Sequence, residues 1–322
     1  HCISSAASDV YKRQARSYSG GTGIIVSQEA YHGTSDLTSG CSPALGSGQP
    51  LPATTRLVPA PDTYRIETDD LGDWFANQIQ QQIDDMNANG IKFAGFLADS
   101  IFSSDGVMPN PVGFLKKAVD VVHANGGIFI ADEVQPGFAR TGDSFWGFGR
   151  HGVIPDVITT GKPMGNGIPV SGLLAKSDVL ASFSDHIPYF NTFGGNPVAM
   201  AAAQAVLNVI KEEQLQAHSQ KVGAQLQAEL RKLMDKHDCI GDVRGAGLFI
   251  GFELVTDRHS KQPNKALALN LIEELRNTHR VLTSVAGPYG NVLKLRPPLA
   301  FQEKDIDWLV GALDQSLTAL KA

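Results

Sequence analysis

The chain reads as an α/β protein, a mainly parallel sheet flanked by helices, with a smaller C-terminal α+β domain behind it. Three observations carry that expectation. Short apolar runs alternate with helix-length amphipathic stretches as far as Asn196-Pro197. Beyond that point long helical patterns dominate, broken by two strand patterns. The 322 residues, 42% hydrophobic and 19% charged, are enough to bury two cores rather than one.

In chain order, 23–26 reads as a strand because Ile24, Ile25 and Val26 form a β-branched run bounded by glycine and polar residues. Residues 93–98, 127–131, 157–160 and 170–175 read the same way. Between them 74–89 and 111–125 have helical spacing, with Leu115, Val119 and Val122 on one face. Strands separated by helices of this length are parallel neighbours, joined by crossovers that cover both faces of the sheet. After Pro197 an alanine-rich helix spans 198 to about 209 and a charged one 213–236, whose Val222, Leu226 and Leu230 share one face. Strands within 243–254 and at 292–295 then alternate with helices at 265–278 and 303–320. No repeat or low-complexity linker intervenes, so a large domain of 15–210 and a small one of 211–322 are expected to pack tightly.

Residues 1–14 are set apart. The string from Ser4 to Gln14 matches the translation of a transposase adaptor used in DNA library preparation, so the native sequence is expected to begin near Ala15, with its first elements missing.

Composition narrows the partners. A formal charge of −6 offers no basic footprint for nucleic acid or an anionic membrane, and no run approaches the ~20 apolar residues of a membrane span. Cys2, Cys41 and Cys239 are odd in number and lack metal-binding or disulfide spacing, which suits the cytoplasm. Small molecules and further copies of the chain remain as expected partners, and no metal is expected.

The chemistry lies where two apolar strands end. Asp132 closes 127–131, and Lys162 follows 157–160 among glycines. Sheets of this kind bind ligands at the carboxyl ends of their strands. A lysine and an acid brought together there suit pyridoxal phosphate (PLP): the lysine holds the cofactor's aldehyde and later moves the substrate's α-proton, while the acid keeps the pyridine nitrogen protonated. Closing an apolar strand, Lys162 is expected to be partly desolvated.

Four strings extend the pattern: Tyr31-His32-Gly33, Ala131-Asp132-Glu133-Val134-Gln135 and onward to Gly142, Thr160-Gly161-Lys162-Pro163-Met164-Gly165-Asn166-Gly167, and Asn191-Thr192-Phe193-Gly194-Gly195-Asn196-Pro197. In this order they resemble the motifs of the class-III aminotransferases, PLP enzymes of fold type I, and the resemblance runs from Ala15 to the C-terminus. It implies that Lys162 binds the cofactor and Asp132 its pyridine nitrogen. Gln135 falls near the phenolic oxygen, Val134 under the ring and Tyr31 over its other face, with His32 touching the cofactor or orienting its neighbours. The resemblance further implies that Thr192 reaches the phosphate in a neighbouring subunit, making a homodimer with shared sites, and that Arg296 binds a substrate carboxylate. Glu133 is given a local structural role and Arg140 a salt bridge.

Two departures qualify the match. The Glu-Pro-Val/Ile-Gln-like string that most members have after the preceding strand is replaced by Asp99-Ser100-Ile101-Phe102-Ser103-Ser104-Asp105-Gly106, and the phosphate-cradling loop upstream of Gly23 is missing, so PLP is expected to bind poorly to the chain as given. The resemblance implies ping-pong transfer of an amino group from an amino acid or amine to a 2-oxo acid. The alternatives are a PLP-dependent lyase acting on a phosphorylated amino alcohol, or an inactive truncated product.

Overall fold

The structure, a computed structural model, describes residues 3–321, with side chains from residue 10 onward; Cys2 lies outside the described residues. The chain runs α1 (Ile3–Ser19), β1 (Gly23–Ser27), α2 (Asp36–Ser39), β2 (Thr55–Val58), α3 (Leu71–Ala88), β3 (Phe93–Ala98), α4 (Leu115–Ala124), β4 (Ile128–Asp132), β5 (Val157–Thr160), β6 (Gly172–Ala175), α5 (Ser177–Ser184) and α6 (Pro197–Glu212). It continues through α7 (Leu215–Leu233), β7 (Ile240–Ala246), β8 (Phe249–Asp257), β9 (Gln262–Pro263), α8 (Lys265–His279), β10 (Val285–Ala286), β11 (Val292–Leu295) and α9 (Glu303–Ala319).

The first sheet has the order β2-β1-β3-β4-β5-β6 and is parallel except where β6 runs against β5. Its strands are apolar on both faces because both faces are covered. On one side α3 and α4 bury Phe75, Ile79, Ile83, Leu115, Val119 and Val122 against Phe96 and Phe129. On the other, α1 and α5 contribute Tyr11, Ala15 and Val179 against Ile24, Val26, Leu97 and Ile130. Each large side chain buried this way contributes roughly 1.5–3 kcal/mol. Caps fix two helix starts: Asp70 accepts from Asp73 N, and Asn196 accepts from Ala199 N ahead of Pro197.

Helix α1 includes residues that the sequence reading sets apart as adaptor-derived. Its buried face carries Lys12, whose Nζ donates to Leu37 O at 2.9 Å, and Gln14, whose Oε1 has no partner. Strand β2 was not anticipated, its short Thr55-Arg56-Leu57-Val58 run being hidden between prolines. The stretch 243–254 folds as part of the β7–β8 hairpin.

The C-terminal residues form an antiparallel sheet, β10-β11-β8-β7 with β9 beside β8, backed by α7, α8 and α9. Its far face meets the loop 99–108 that follows β3. There Arg244, 5% exposed, donates to Gly106 O at 2.7 Å and Val107 O at 2.9 Å and pairs with Glu253 at 2.6 Å. A buried guanidinium satisfied on all sides ties the C-terminal sheet to this loop. Cys41 and Cys239 are free and buried, and no described helix is long and apolar enough to cross a membrane.

Candidate active site

At the carboxyl end of the parallel strands a cleft is lined by Tyr31, His32, Gly33, Asp99, Asp132, Val134, Gln135 and Lys162. Six of the eight residues anticipated from sequence meet there: Tyr31, His32, Asp132, Val134, Gln135 and Lys162. Asp132 ends β4, where pairing with Thr159 fixes its height on the sheet. Its carboxylate accepts from Val134 N at 3.1 Å and lies 2.7 Å from His32 Nδ1. With two lone pairs on each oxygen, it keeps capacity for a further donor from the cleft.

His32 is 4% exposed and its Nε2 has no protein partner. It hangs from the turn after β1, where Ser42 Oγ accepts from His32 N at 2.9 Å. The next residue must be glycine: Gly33 has φ +126°, and a Cβ there would fall 2.7 Å from Thr38 Oγ1. Tyr31 is 40% exposed, with its ring at the cleft's rim.

Lys162 departs from expectation. It opens the short 3₁₀ turn Lys162–Met164 beyond the end of β5 and is exposed, not desolvated, because neighbouring residues 166–169 are exposed too and nothing among the described residues covers it. Thr192 lies away from the cleft, in an exposed depression with Arg13, Tyr189, Phe190 and Phe193. Arg296 does reach the site, where Nη1 donates to Gln135 Oε1. Arg140 forms no salt bridge among the described residues. Its guanidinium donates instead to Leu248 O at 3.2 Å and to Pro297 O; burial, then the nearby Arg296, pushes it down to about 10.

Behind the cleft stands a layer of buried acids. Glu133 accepts from Gly147 N at 2.6 Å, Ser100 Oγ at 3.0 Å and Phe148 N at 3.0 Å, and burial still pushes it up to about 8. This bears out its structural role. His151 links the same loops, with Nδ1 accepting from Gly113 N and Nε2 donating to Ser100 O; burial lowers it to about 4. Asp105 accepts from Ser27 Oγ at 2.7 Å and Glu29 N at 2.9 Å, and burial raises it to about 7. No periodic pattern singles out Asp105, whose importance comes from a contact 78 residues away.

A larger cavity, about 800 Å³, lies at the opposite end of the strands. The C-termini of α1, α3 and α4 converge on it, and Lys92, His123 and Lys176 there complement their negative dipole ends.

The cleft's contents fit PLP. A buried acid has spare acceptor capacity, a lysine stands across from it, and an aromatic sits at the rim. Comparison with known proteins agrees. The class-III aminotransferase family profile matches residues 4–317. Ethanolamine-phosphate phospho-lyase homolog 1 of Caenorhabditis elegans is 37% identical over 98% of this chain and 72% of its own length. Alanine–glyoxylate aminotransferase 2 homolog 2, mitochondrial, of Arabidopsis thaliana is 38% identical over 98% and 65% respectively. The chain thus spans about two thirds of the length of such relatives. Among solved structures, an Arthrobacter phospholyase in complex with phosphoethanolamine superposes with a TM-score of 0.93 at 37% identity, covering 98% of this chain and 75% of that one. A PLP-bound amine transaminase from an uncultivated Pseudomonas species gives 0.88 at 28%, again over 98% and 75%. The chain belongs to the class-III aminotransferases, enzymes of PLP fold type I whose cofactor is pyridoxal phosphate.

Proposed function

We propose that the protein moves an amino group from an amino acid or amine to a 2-oxo acid by a ping-pong route, as a homodimer with shared sites. The observation that carries this reading is the meeting of Asp132, Lys162, Tyr31 and Gln135 in one cleft at the carboxyl ends of parallel strands. A cytoplasmic setting goes with it, on the cysteine pattern alone.

Pyridoxal phosphate, when bound, supplies an aldehyde that captures the amine and a ring that accepts the electrons of a broken C–H bond. The chain's residues do the rest. Asp132, held by Val134 N and His32, keeps the ring nitrogen protonated. Tyr31 and Val134 flank the ring faces, and Gln135 meets the phenolic oxygen. Lys162 Nζ would hold the cofactor's aldehyde at rest; once released, it would take the proton from the amine-bearing carbon and return it to the carbon on the other side of the shared nitrogen. Arg296 orients a carboxylate. Thr192 serves the partner's site, which the exposed apolar surface around it supports: Phe190 is 86% and Phe193 77% exposed.

A second reading, loss of inorganic phosphate from a phosphorylated amino alcohol, is favoured by the two phospho-lyase likenesses and by Asp99, which lines the cleft in place of the family's longer acid. In that reaction the C–H proton goes to Lys162, the C–O bond breaks with its electrons on phosphate, and water releases an aldehyde and ammonia. A donor screen with pyruvate, 2-oxoglutarate and glyoxylate tests the two. Amino transfer that needs an oxo acid supports the first. Phosphate release without one overturns it in favour of the second.

A further inference from the structure

Two acids line the cleft side by side. Ala98 of β3 and Ala131 of β4 are register partners, so the residues that follow them, Asp99 and Asp132, stand level with each other at the ends of adjacent strands. Burial raises the Asp99 carboxyl above the ordinary range, and the neighbouring Asp132 charge raises it further. Two carboxylates so placed disfavour each other, and what holds them is found one residue on. Ser100 and Glu133 follow the two acids and are fully buried behind the cleft, where Ser100 Oγ donates to Glu133 Oε1 at 3.0 Å. That bond runs from one strand end to the other, so it fixes their separation just behind the acids.

The pair is gripped from the far side by the 3₁₀ turn Gly147–His151. Its first two amides, Gly147 N and Phe148 N, donate to Glu133. Its last residue, His151, donates from Nε2 to Ser100 O at 2.9 Å and accepts from Gly113 N at 3.2 Å on Nδ1. Both bonds need a neutral ring with its proton on Nε2, since a proton on Nδ1 would face the Gly113 N–H. The Phe114 ring stands edge-on to the imidazole, centroids 4.7 Å apart, which fixes its plane. Gly147 lets the turn come this close: a Cβ there would fall 2.6 Å from Ser100 Oγ and nearer still to Pro136, the residue after Gln135.

Neither Ser100 nor His151 lines the cleft, so neither meets a substrate. What they set is where the acids stand. Asp132 keeps the cofactor's ring nitrogen protonated only while it lies within hydrogen-bond reach, and a misplacement of about 1 Å costs up to about a hundredfold in rate.

We propose that Ser100 and His151 are positioning residues for the reaction: acting through Glu133, they hold Asp132 at a fixed distance from Asp99 and so keep the acid on the cofactor's ring nitrogen. This rests on the cleft holding PLP as described above, and it is the same for amino transfer and for phosphate loss.

Three measurements test it. Ser100→Ala cuts the tie and leaves Glu133 its two amide donors, so the protein should fold as before. In the PLP-loaded protein it should lower kcat by about tenfold to a hundredfold with KM nearly unchanged, and shift the visible absorbance maximum of the bound cofactor, which depends on whether the ring nitrogen is protonated. A merely structural role lowers the number of intact sites, counted by bound PLP, and leaves kcat per site and the absorbance maximum where they were; that result overturns the proposal. His151→Gln can offer an amide N–H to Ser100 O and an amide oxygen to Gly113 N, and should keep most of kcat, whereas His151→Leu should behave as Ser100→Ala does. Equal losses in the two variants overturn the part assigned to His151. The third measurement needs no cofactor. The His32 Nδ1 proton, shared with Asp132 at 2.7 Å, should give a downfield NMR resonance, identified by its loss in His32→Gln; Ser100→Ala should move it and His151→Gln should not. A resonance that stays in place in Ser100→Ala overturns the proposal. A shift in a protein that turns over no amine keeps the positioning role and removes the proposed function instead.

Discussion

Residues 127–160 and 161–200 are consecutive in the chain and both supply residues to the cleft, yet they are built in opposite ways. In the first, Phe129, Ile130, Ala131 and Val157 have no exposed surface, and every oxygen of Glu133 has a donor. In the second, Lys162 and Thr192 are exposed, and Phe190, Phe193 and Val198 stand 73% to 86% exposed. The acid half of the site is finished by this chain's own packing. The lysine half ends in a cluster of exposed apolar side chains, Phe190, Phe193 and Val198. In the first half folding and chemistry rest on the same residues; in the second, β6 and α5 pack into the core while Lys162 and Thr192 stand outside it.

The strongest way to break that contrast is to substitute across it. Lys162→Ala should reduce turnover by about 10⁴-fold or more, by removing both the cofactor's anchor and the proton carrier, while leaving urea stability within about 0.5 kcal/mol, as for an exposed side chain. Asp132→Ala should cost activity and also about 1–3 kcal/mol, because it leaves a buried His32 nitrogen without its partner. Equal stability losses in the two variants would erase the distinction. Steady-state kinetics and urea denaturation give both readings.

Next in size is the exposed surface. Phe190→Asp combined with Phe193→Asp should halve the mass seen by sedimentation and lower turnover by about tenfold to a hundredfold, with the monomer still folded. An unchanged mass with unchanged turnover would mean that the lysine half is complete without a partner.

The smallest effect sharpens the acid half. Glu133 and Asp105 have folded values of about 8 and about 7, both above their unfolded ones, so the folded state holds extra protons that it loses as pH rises. Their contribution is full below the ordinary carboxylate range and is lost up to about pH 8. His151, lowered to about 4, works in the opposite sense, but only below its unfolded value near 6.5. Between pH 6.5 and 8 the acids act alone, and stability should fall by on the order of 1–2 kcal/mol. Asp105→Asn, which keeps an acceptor for Glu29 N, should flatten the early part of that fall in pH-dependent denaturation. A slope unaltered by the substitution would show that Asp105 does not titrate there.

Much of this was legible in the chain. Apolar strands ending in Asp132 and just before Lys162, with helices between, imply a parallel sheet and a site at its carboxyl edge, because periodicity and strand ends are local properties. The exposure of Lys162 was not legible, since desolvation depends on what packs over a residue rather than on the strand before it. Nor was the use of Arg140, whose acceptors lie more than a hundred residues away in the chain. The alternation that puts Asp99 and Asp132 on the cleft and Ser100 and Glu133 behind it is written in the two strand ends. That His151 closes on Ser100 is not, since 51 residues separate them. Sequence alone specified which residues share a strand or a helix face. Tertiary packing decided which of those faces meet, because that outcome depends on distances between elements far apart in the chain.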